Sequence, residues 1–145
     1  MGWGILPNID VVHDPYNSTP ATSGPFLDEK WGCPIRWGYH EDQSTDECLV
    51  SNLARGGVNI QYDCSLDDPS CVQLIDNLKN SFTGANLSEV VIIPYSGLNN
   101  RIALTAWNYI DEFDEFDKVR ISTFIDTFLN NPTLAPFYEK KGFLN

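Results

Sequence analysis

Four cysteines, Cys33, Cys48, Cys64 and Cys71, constrain this chain more than any other feature, because all of them fall within one stretch of its first half. Four cysteines allow three full pairings. Cys64 and Cys71 flank Ser-Leu-Asp-Asp-Pro-Ser, a turn-rich segment suited to a local clip, and Cys33 and Cys48 then bracket the polar stretch from Pro34 to Glu47. A closed loop of about 15 residues contributes roughly 3 kcal/mol in the chain-entropy account. Zinc modules bring their ligands in closely spaced C-x₂₋₄-C pairs and redox proteins use C-x-x-C. Neither spacing occurs here, so two disulfides are the first expectation, ahead of free structural thiols and then zinc. Disulfides in turn imply an extracellular, periplasmic or luminal setting.

The charge balance excludes other classes. Nine basic against twenty acidic side chains leave a net charge of −11. Phosphate backbones and anionic lipid are held by clustered Lys and Arg. Arg36, Arg55, Arg101 and Arg120 are instead scattered, which argues against nucleic acid as a partner. No apolar run approaches the roughly 20 residues of a membrane span, so no insertion within this chain is expected. Met1 to Asp10 lack the basic start and apolar stretch of a signal peptide. Taken alone that favours the cytosol; the cysteines favour a trimmed or mature start and a secreted or cell-surface protein. Asn17 and Asn86 each open an N-x-[ST] triplet and are glycan acceptors if the source glycosylates.

One domain spanning 1–145 is expected from a length of 145 residues. Residues 1–50 are rich in Pro, Gly, Asn, Asp, Ser and Thr, with Trp3, Trp31 and Trp37 interspersed, and read as irregular chain anchored by aromatics. Val58–Tyr62 alternates apolar and polar residues and reads as a half-buried strand. Asp67 or Asp68, followed by Pro69, starts a helix on which Val72, Ile75, Leu78 and Phe82 recur at helical spacing, and residues 83–86 end it. Glu89–Tyr95 reads as a buried strand, with Arg101–Trp107 returning as its hairpin partner. A last helix begins near Asp117, places Val119, Ile121, Phe124, Ile125, Phe128 and Leu129 inward, and stops at Asn130-Asn131-Pro132. The order β-α-β-β-α gives an α+β fold, a small sheet with both helices on one face behind a long irregular N-terminal segment.

Three stretches carry a resemblance. Residues 16–25 end in Thr22-Ser23-Gly24-Pro25; residues 49–58 contain Ser51-Asn52-Leu53-Ala54-Arg55-Gly56-Gly57-Val58; residues 102–107 read Ile-Ala-Leu-Thr-Ala-Trp. In this order they resemble the Thr-Ser-Gly-Pro-His, His-Asn-Leu-Glu-His-Gly-Gly-Val and Ala-Leu-Thr-Ala-Trp signatures of the domain-of-unknown-function family 3105. The likeness covers about residues 14–130, with 1–13 and 131–145 as possible arms. The resemblance implies an envelope location and a set of histidines and a glutamate near two Gly-containing turns, suited to a metal or to acid–base chemistry. At the matching positions this chain carries Phe26, Ser51, Ala54 and Arg55. Phe and Ala neither ligate metal nor move protons, and Arg stays cationic.

Other candidates are thin. His13 and His40, each beside carboxylates, are weak metal candidates. Asp111, Asp114 and Asp117 lie in a dense acidic run with oxygen ligands for Ca²⁺, but the EF-hand order is not met. Carboxylates before and in the first turn of a helix, favoured by its dipole, explain the run more simply. Ser23 is not in a nucleophile elbow, and Gly56-Gly57 is too short for a phosphate loop; a tight turn suffices. Arg55 is the candidate contact for a carboxylate or a partner. The expected function is therefore an extracytoplasmic, disulfide-stapled, non-catalytic binding or assembly domain without a cofactor, acting through a protein partner or self-association. A metal-binding envelope protein for copper, zinc or calcium is the alternative.

Overall fold

A computed structural model of the chain describes residues 4–6, 16–27, 32–82, 89–131 and 133–136. Its main element is a five-stranded sheet of β3 (Gly38–Tyr39), β4 (Val58–Tyr62), β5 (Val90–Pro94), β6 (Ile102–Ala106) and β7 (Tyr109–Phe113). A parallel pair of short strands, β1 (Gly4–Ile5) and β2 (Pro25–Phe26), stands apart from it. Three helices accompany the strands: α1 (Asp46–Ala54), α2 (Pro69–Phe82) and α3 (Lys118–Phe128). The sheet order is β3-β5-β4-β6-β7. The first three run parallel, and β6 and β7 join antiparallel.

The fold is the α+β class expected, and α2 and α3 do share one face. Alternation along the strands turns Val58, Ile60 and Tyr62 of β4, Val90 and Ile92 of β5, and Ile102, Leu104 and Ala106 of β6 into one cluster. Leu74, Ile75 and Leu78 of α2 and Ile121, Phe124 and Ile125 of α3 close over it. Asp68 accepts a hydrogen bond from the Ser70 N–H at the start of α2, and Asp117 accepts one from the Arg120 N–H at the start of α3, so both helix starts fall where expected. One inward assignment, Val119, is corrected, and Val72 of the α2 stripe faces outward. Val72 is 46% exposed and Val119 75% exposed, because Cys71 and Leu74, and Ile121 alone in its turn, occupy the inner stripe instead. Residues 83–86, expected to end α2, lie outside the described residues, and α2 runs to Phe82.

Four further expectations are corrected. β6 is not the hairpin partner of β5: it crosses to pair with β4, with Ile60 opposite Leu104. Its hairpin is with β7, turning at Asn108, whose φ is +68°. The strand β7 lies within the acidic stretch read as a helix approach; as the sheet edge it keeps Tyr109 and Ile110 exposed and carries Asp111 and Glu112, charges that blunt edge pairing. The irregular half contains a helix, α1. Thr45 caps it by accepting from the Cys48 N–H at 3.2 Å. Finally, β4 is buried on both faces rather than half-buried, because α1 and the chain around Trp37 cover its second face.

That second face is built differently. Leu49 of α1 and Trp37 pack on Val91 and Ile93 of β5. Asn59 donates to the Leu49 carbonyl at 3.2 Å, and the Gln61 amide and Thr105 hydroxyl hydrogen-bond across β4 and β6 at 3.0 Å. Asn52 of α1 holds the neighbouring segment as a strand would, accepting from the Ile35 N–H at 2.8 Å and donating to the Ile35 carbonyl at 2.9 Å. Gly57 is required here. A Cβ would come within 2.5 Å of the Trp37 ring and 2.9 Å of the Asn52 carbonyl oxygen. Disulfides Cys33–Cys48 and Cys64–Cys71 staple the two sides, which selects one of the three pairings that the sequence left open.

Candidate binding site

The parallel strands β3, β4 and β5 end on the same side of the sheet. Chain leaving the carboxyl ends of such strands diverges and opens a crevice where ligands characteristically bind. A cavity of about 550 Å³ lies here. It is lined by the last residues of the three strands and those that follow: Tyr39 with Glu41, Asp42 and Gln43; Tyr62 with Asp63; and Pro94 with Tyr95 and Ser96. Cys64 and Leu66 complete the wall.

Its frame is fixed by short-range hydrogen bonds. The Asp63 carboxylate accepts from the backbone N–H groups of Gly97 at 2.9 Å and Leu98 at 3.2 Å, which sets the turn after β5. Gln43 reaches across to Ser96, donating to its hydroxyl and accepting from its N–H, both at 2.9 Å. The Tyr95 N–H donates to the Tyr62 carbonyl, and the His40 N–H to the Ile92 carbonyl. Cys64–Cys71 ties the chain after β4 to the start of α2. The site is thus preorganised rather than assembled on demand.

Two of its tyrosines, Tyr62 and Tyr95, are held in the protonated form. Burial pushes the Tyr62 hydroxyl well above the ordinary tyrosine range, with the Tyr39 hydrogen bond adding to the effect. Burial does the same at Tyr95, whose hydroxyl donates to Asp46 Oδ1 at 2.8 Å. Asp46 itself is shifted upward, first by burial and then by Glu47, against the lowering effect of that hydrogen bond.

The positions singled out from the sequence gather elsewhere, under the opposite end of α1. Phe26, Val50, Leu53, Ala54, Ala21 and Trp107 form one buried cluster, with Tyr16 against it. Phe26 meets Trp107 edge-on at 6.4 Å between centroids. Arg55, 1% exposed, lies inside the fold, which corrects its expected role at a partner surface. Its guanidinium donates to the Ser51 carbonyl and hydroxyl and sits 5.8 Å from the centre of the Phe26 ring. The Asn108 N–H donates to the Thr22 carbonyl, so all three signature stretches converge here. Gly56, with φ +94°, makes the expected turn.

The remaining candidates are dispersed. His40 bonds through Nε2 to the Arg36 carbonyl, and His13 lies outside the described residues. The acidic run divides its labour. Asp111 pairs with Arg120 through two hydrogen bonds, at 2.6 and 2.8 Å. Asp114 accepts from the Arg101 N–H and the Asn100 amide, and Asp117 caps α3. Among the described residues, no group of three or more His, Cys, Asp or Glu is placed to hold a metal ion. The Asn17 amide closes its own loop, donating to the Thr22 hydroxyl at 2.7 Å and accepting from the Thr22 N–H at 3.2 Å; Asn86 lies outside the described residues. No helix among the described residues is long and apolar enough to cross a membrane.

Sequence reasoning missed the strand-end cavity. Its only linear signal is a tyrosine at or just after the end of each parallel strand, and that has no meaning until the pairing of β3, β5 and β4 is known.

In comparisons with known proteins, the model of the family described as "Protein of unknown function (DUF3105)" matches residues 13–142. Neither a curated protein nor a solved structure matches the chain.

Proposed function

The chain belongs to the DUF3105 family, and on that premise we propose that it is an extracytoplasmic, disulfide-stapled domain that binds a partner and carries out no bond chemistry of its own. The observation that carries this reading is the interior at the signature turns. Phe26, Ser51 and Ala54 are fully buried and Arg55 is 1% exposed, so the positions where the resemblance implies histidines and a glutamate serve packing and helix anchoring. A proton shuttle or a metal needs groups that ionise or donate a lone pair, and Phe, Ala and a bonded guanidinium offer neither. Two disulfides favour an oxidising compartment. The preorganised strand-end cavity supplies a place for a ligand or a partner side chain.

The test is intact-mass and elemental analysis of protein secreted by an oxidising host, with sedimentation on the same sample. The expected result is a mass short of the reduced chain by about four hydrogens and no stoichiometric copper, zinc or calcium. Sedimentation then reports whether the partner is a second copy. A metal at one per chain would overturn the reading in favour of a metal-binding envelope protein.

A further inference from the structure

The cavity at the strand ends has a chemistry more specific than its shape. Three of its walls are tyrosines, Tyr39, Tyr62 and Tyr95, joined by the apolar surfaces of Pro94 and Leu66. Three carboxylates, Glu41, Asp42 and Asp63, stand among them, and among the described residues no Lys, Arg or His is part of the lining. An anion would meet that negative field unfavourably. A hard divalent ion needs converging oxygens, six or so, at close range, and no such cluster occurs among the described residues. Aromatic faces with nearby negative charge instead suit a cation that is itself organic, one that gains from ring quadrupoles and from apolar contact together. The chain already makes one such contact nearby, since the Lys79 ammonium lies 4.4 Å from the centre of the Tyr39 ring. Among the described residues, the three lining carboxylates outnumber that cation.

We propose that this cavity binds an alkylammonium group, presented either by a small free amine or by a lysine side chain of a partner protein. The proposal rests on the reading of the chain as a binding domain and names what it binds. Tyr39 and Tyr95, both partly exposed, supply the rings, while Tyr62, 4% exposed, belongs mainly to the core behind them. Glu41 and Asp42 give the outer attraction, and Asp63 a carboxylate held in place by two backbone N–H groups. A volume of about 550 Å³ lies within the usual range of small-molecule sites.

The experiment is titration of the intact, oxidised chain by calorimetry and NMR with three probes: choline, N-acetyl-lysine amide, and dimethylbutanol, the neutral carbon isostere of choline. Saturable shifts at Tyr39, Tyr62 and Tyr95 are expected with the two cations, and the isostere should bind about tenfold more weakly or less. Glu41 and Asp42 are exposed, so E41Q/D42N keeps the fold; it should weaken the cations about threefold at low salt, an effect that fades towards about 1 M salt. Tyr95→Leu should weaken them by about tenfold. Tighter binding of choline assigns the site to a free quaternary amine, and tighter binding of the lysine probe to a partner's side chain. An isostere that binds as well as choline would overturn the cation while leaving a binding domain. Silence of all three probes would overturn the ammonium site, and the binding-domain reading would then stand or fall on sedimentation.

Discussion

The two faces of the central sheet are buried to the same degree by opposite means. On one, Val58, Ile60, Ile92, Ile102 and Leu104 meet α2 and α3 through hydrocarbon alone. On the other, Asn59, Gln61 and Thr105 are equally buried, but they hydrogen-bond to one another and to α1 while Trp37 and Leu49 fill the gaps. A hydrocarbon face is indifferent to small shifts of its lid, whereas a hydrogen-bonded face defines where its lid must sit. The lid on the polar face is α1, whose two ends reach the strand-end cavity through Asp46 and Tyr95 and the signature cluster through Ala54 and Arg55. The polar face therefore places the parts to which we assign recognition, and the apolar face supplies the stability behind them.

Truncation on each face tests this division, and the apolar face should show the larger effect. Leu104→Ala removes a fully buried side chain from the main cluster and should cost about 2–5 kcal/mol in chemical denaturation. Thr105→Val, one residue along and facing the other way, leaves the Gln61 amide short of a partner and should cost about 1–3 kcal/mol. Adding Gln61→Leu should recover most of that loss, because removing both partners of a buried hydrogen bond is far cheaper than removing one. A double variant no better than Thr105→Val alone would mean that Gln61 is held by more than Thr105, as the reach of its amide nitrogen to the Asn59 and Ala103 carbonyls allows.

The disulfides divide between the same two sides. Cys33–Cys48 spans 15 residues and ties the segment before Trp37 to α1, whereas Cys64–Cys71 spans 7 and clips the end of β4 to α2. Loop closure then assigns about 3 kcal/mol to the first and about 2 kcal/mol to the second. Paired Cys→Ser variants, melted separately, should rank in that order. Loss of the shorter clip should also loosen the cavity wall at Cys64 and Leu66, which the longer one does not line. The opposite ranking would mean that the segment around Trp37 is held by its side chains, Asn52 foremost, and gains little from the cross-link.

This contrast also explains what could be read from the sequence. The apolar face announced itself: alternation in Val58–Tyr62 separates a hydrocarbon face from a hydrogen-bonded one, both buried, and the 3.6-residue stripes in α2 and α3 are amphipathic signals that arise when one side of an element meets water. Both helix starts were legible for similarly local reasons, whereas the cysteines suggested disulfides without fixing which pair with which. The helix α1 was not, because Leu49 through Ala54 are all buried, and an element covered all round shows no period. Strand neighbours were misassigned because pairing is a long-range choice; the turn after Glu89–Tyr95 allows a hairpin, but α2 delivers β5 parallel to β4 and leaves the other edge of β4 to β6. The cavity needed that same pairing and was invisible for the same reason. The signature motifs led instead to the cluster around Phe26, a site of packing in this chain.

The smallest expected effect sharpens the comparison at the head of α1. Asp46 is half-buried beside Glu47, and its carboxyl is held above the ordinary 3.8 even though the Tyr95 hydroxyl donates to it. A raised value means that the folded protein binds this proton more tightly than the unfolded chain, so between 3.8 and the folded value the native state carries more of the proton. Stability contributed by the protonated form is therefore lost as pH rises through that window, and the penalty is complete above it. Asp46→Asn mimics the protonated acid and can still accept from Tyr95. Its stability relative to the parent should be near level at low pH and should rise through the window to a plateau at neutral pH, read from urea midpoints at closely spaced pH. A difference that instead fell with rising pH would show that the ionised carboxylate is favoured in the fold, with the Tyr95 hydrogen bond outweighing burial. The wall of the cavity at Tyr95 would then depend on a charge at the head of α1 and not merely tolerate one.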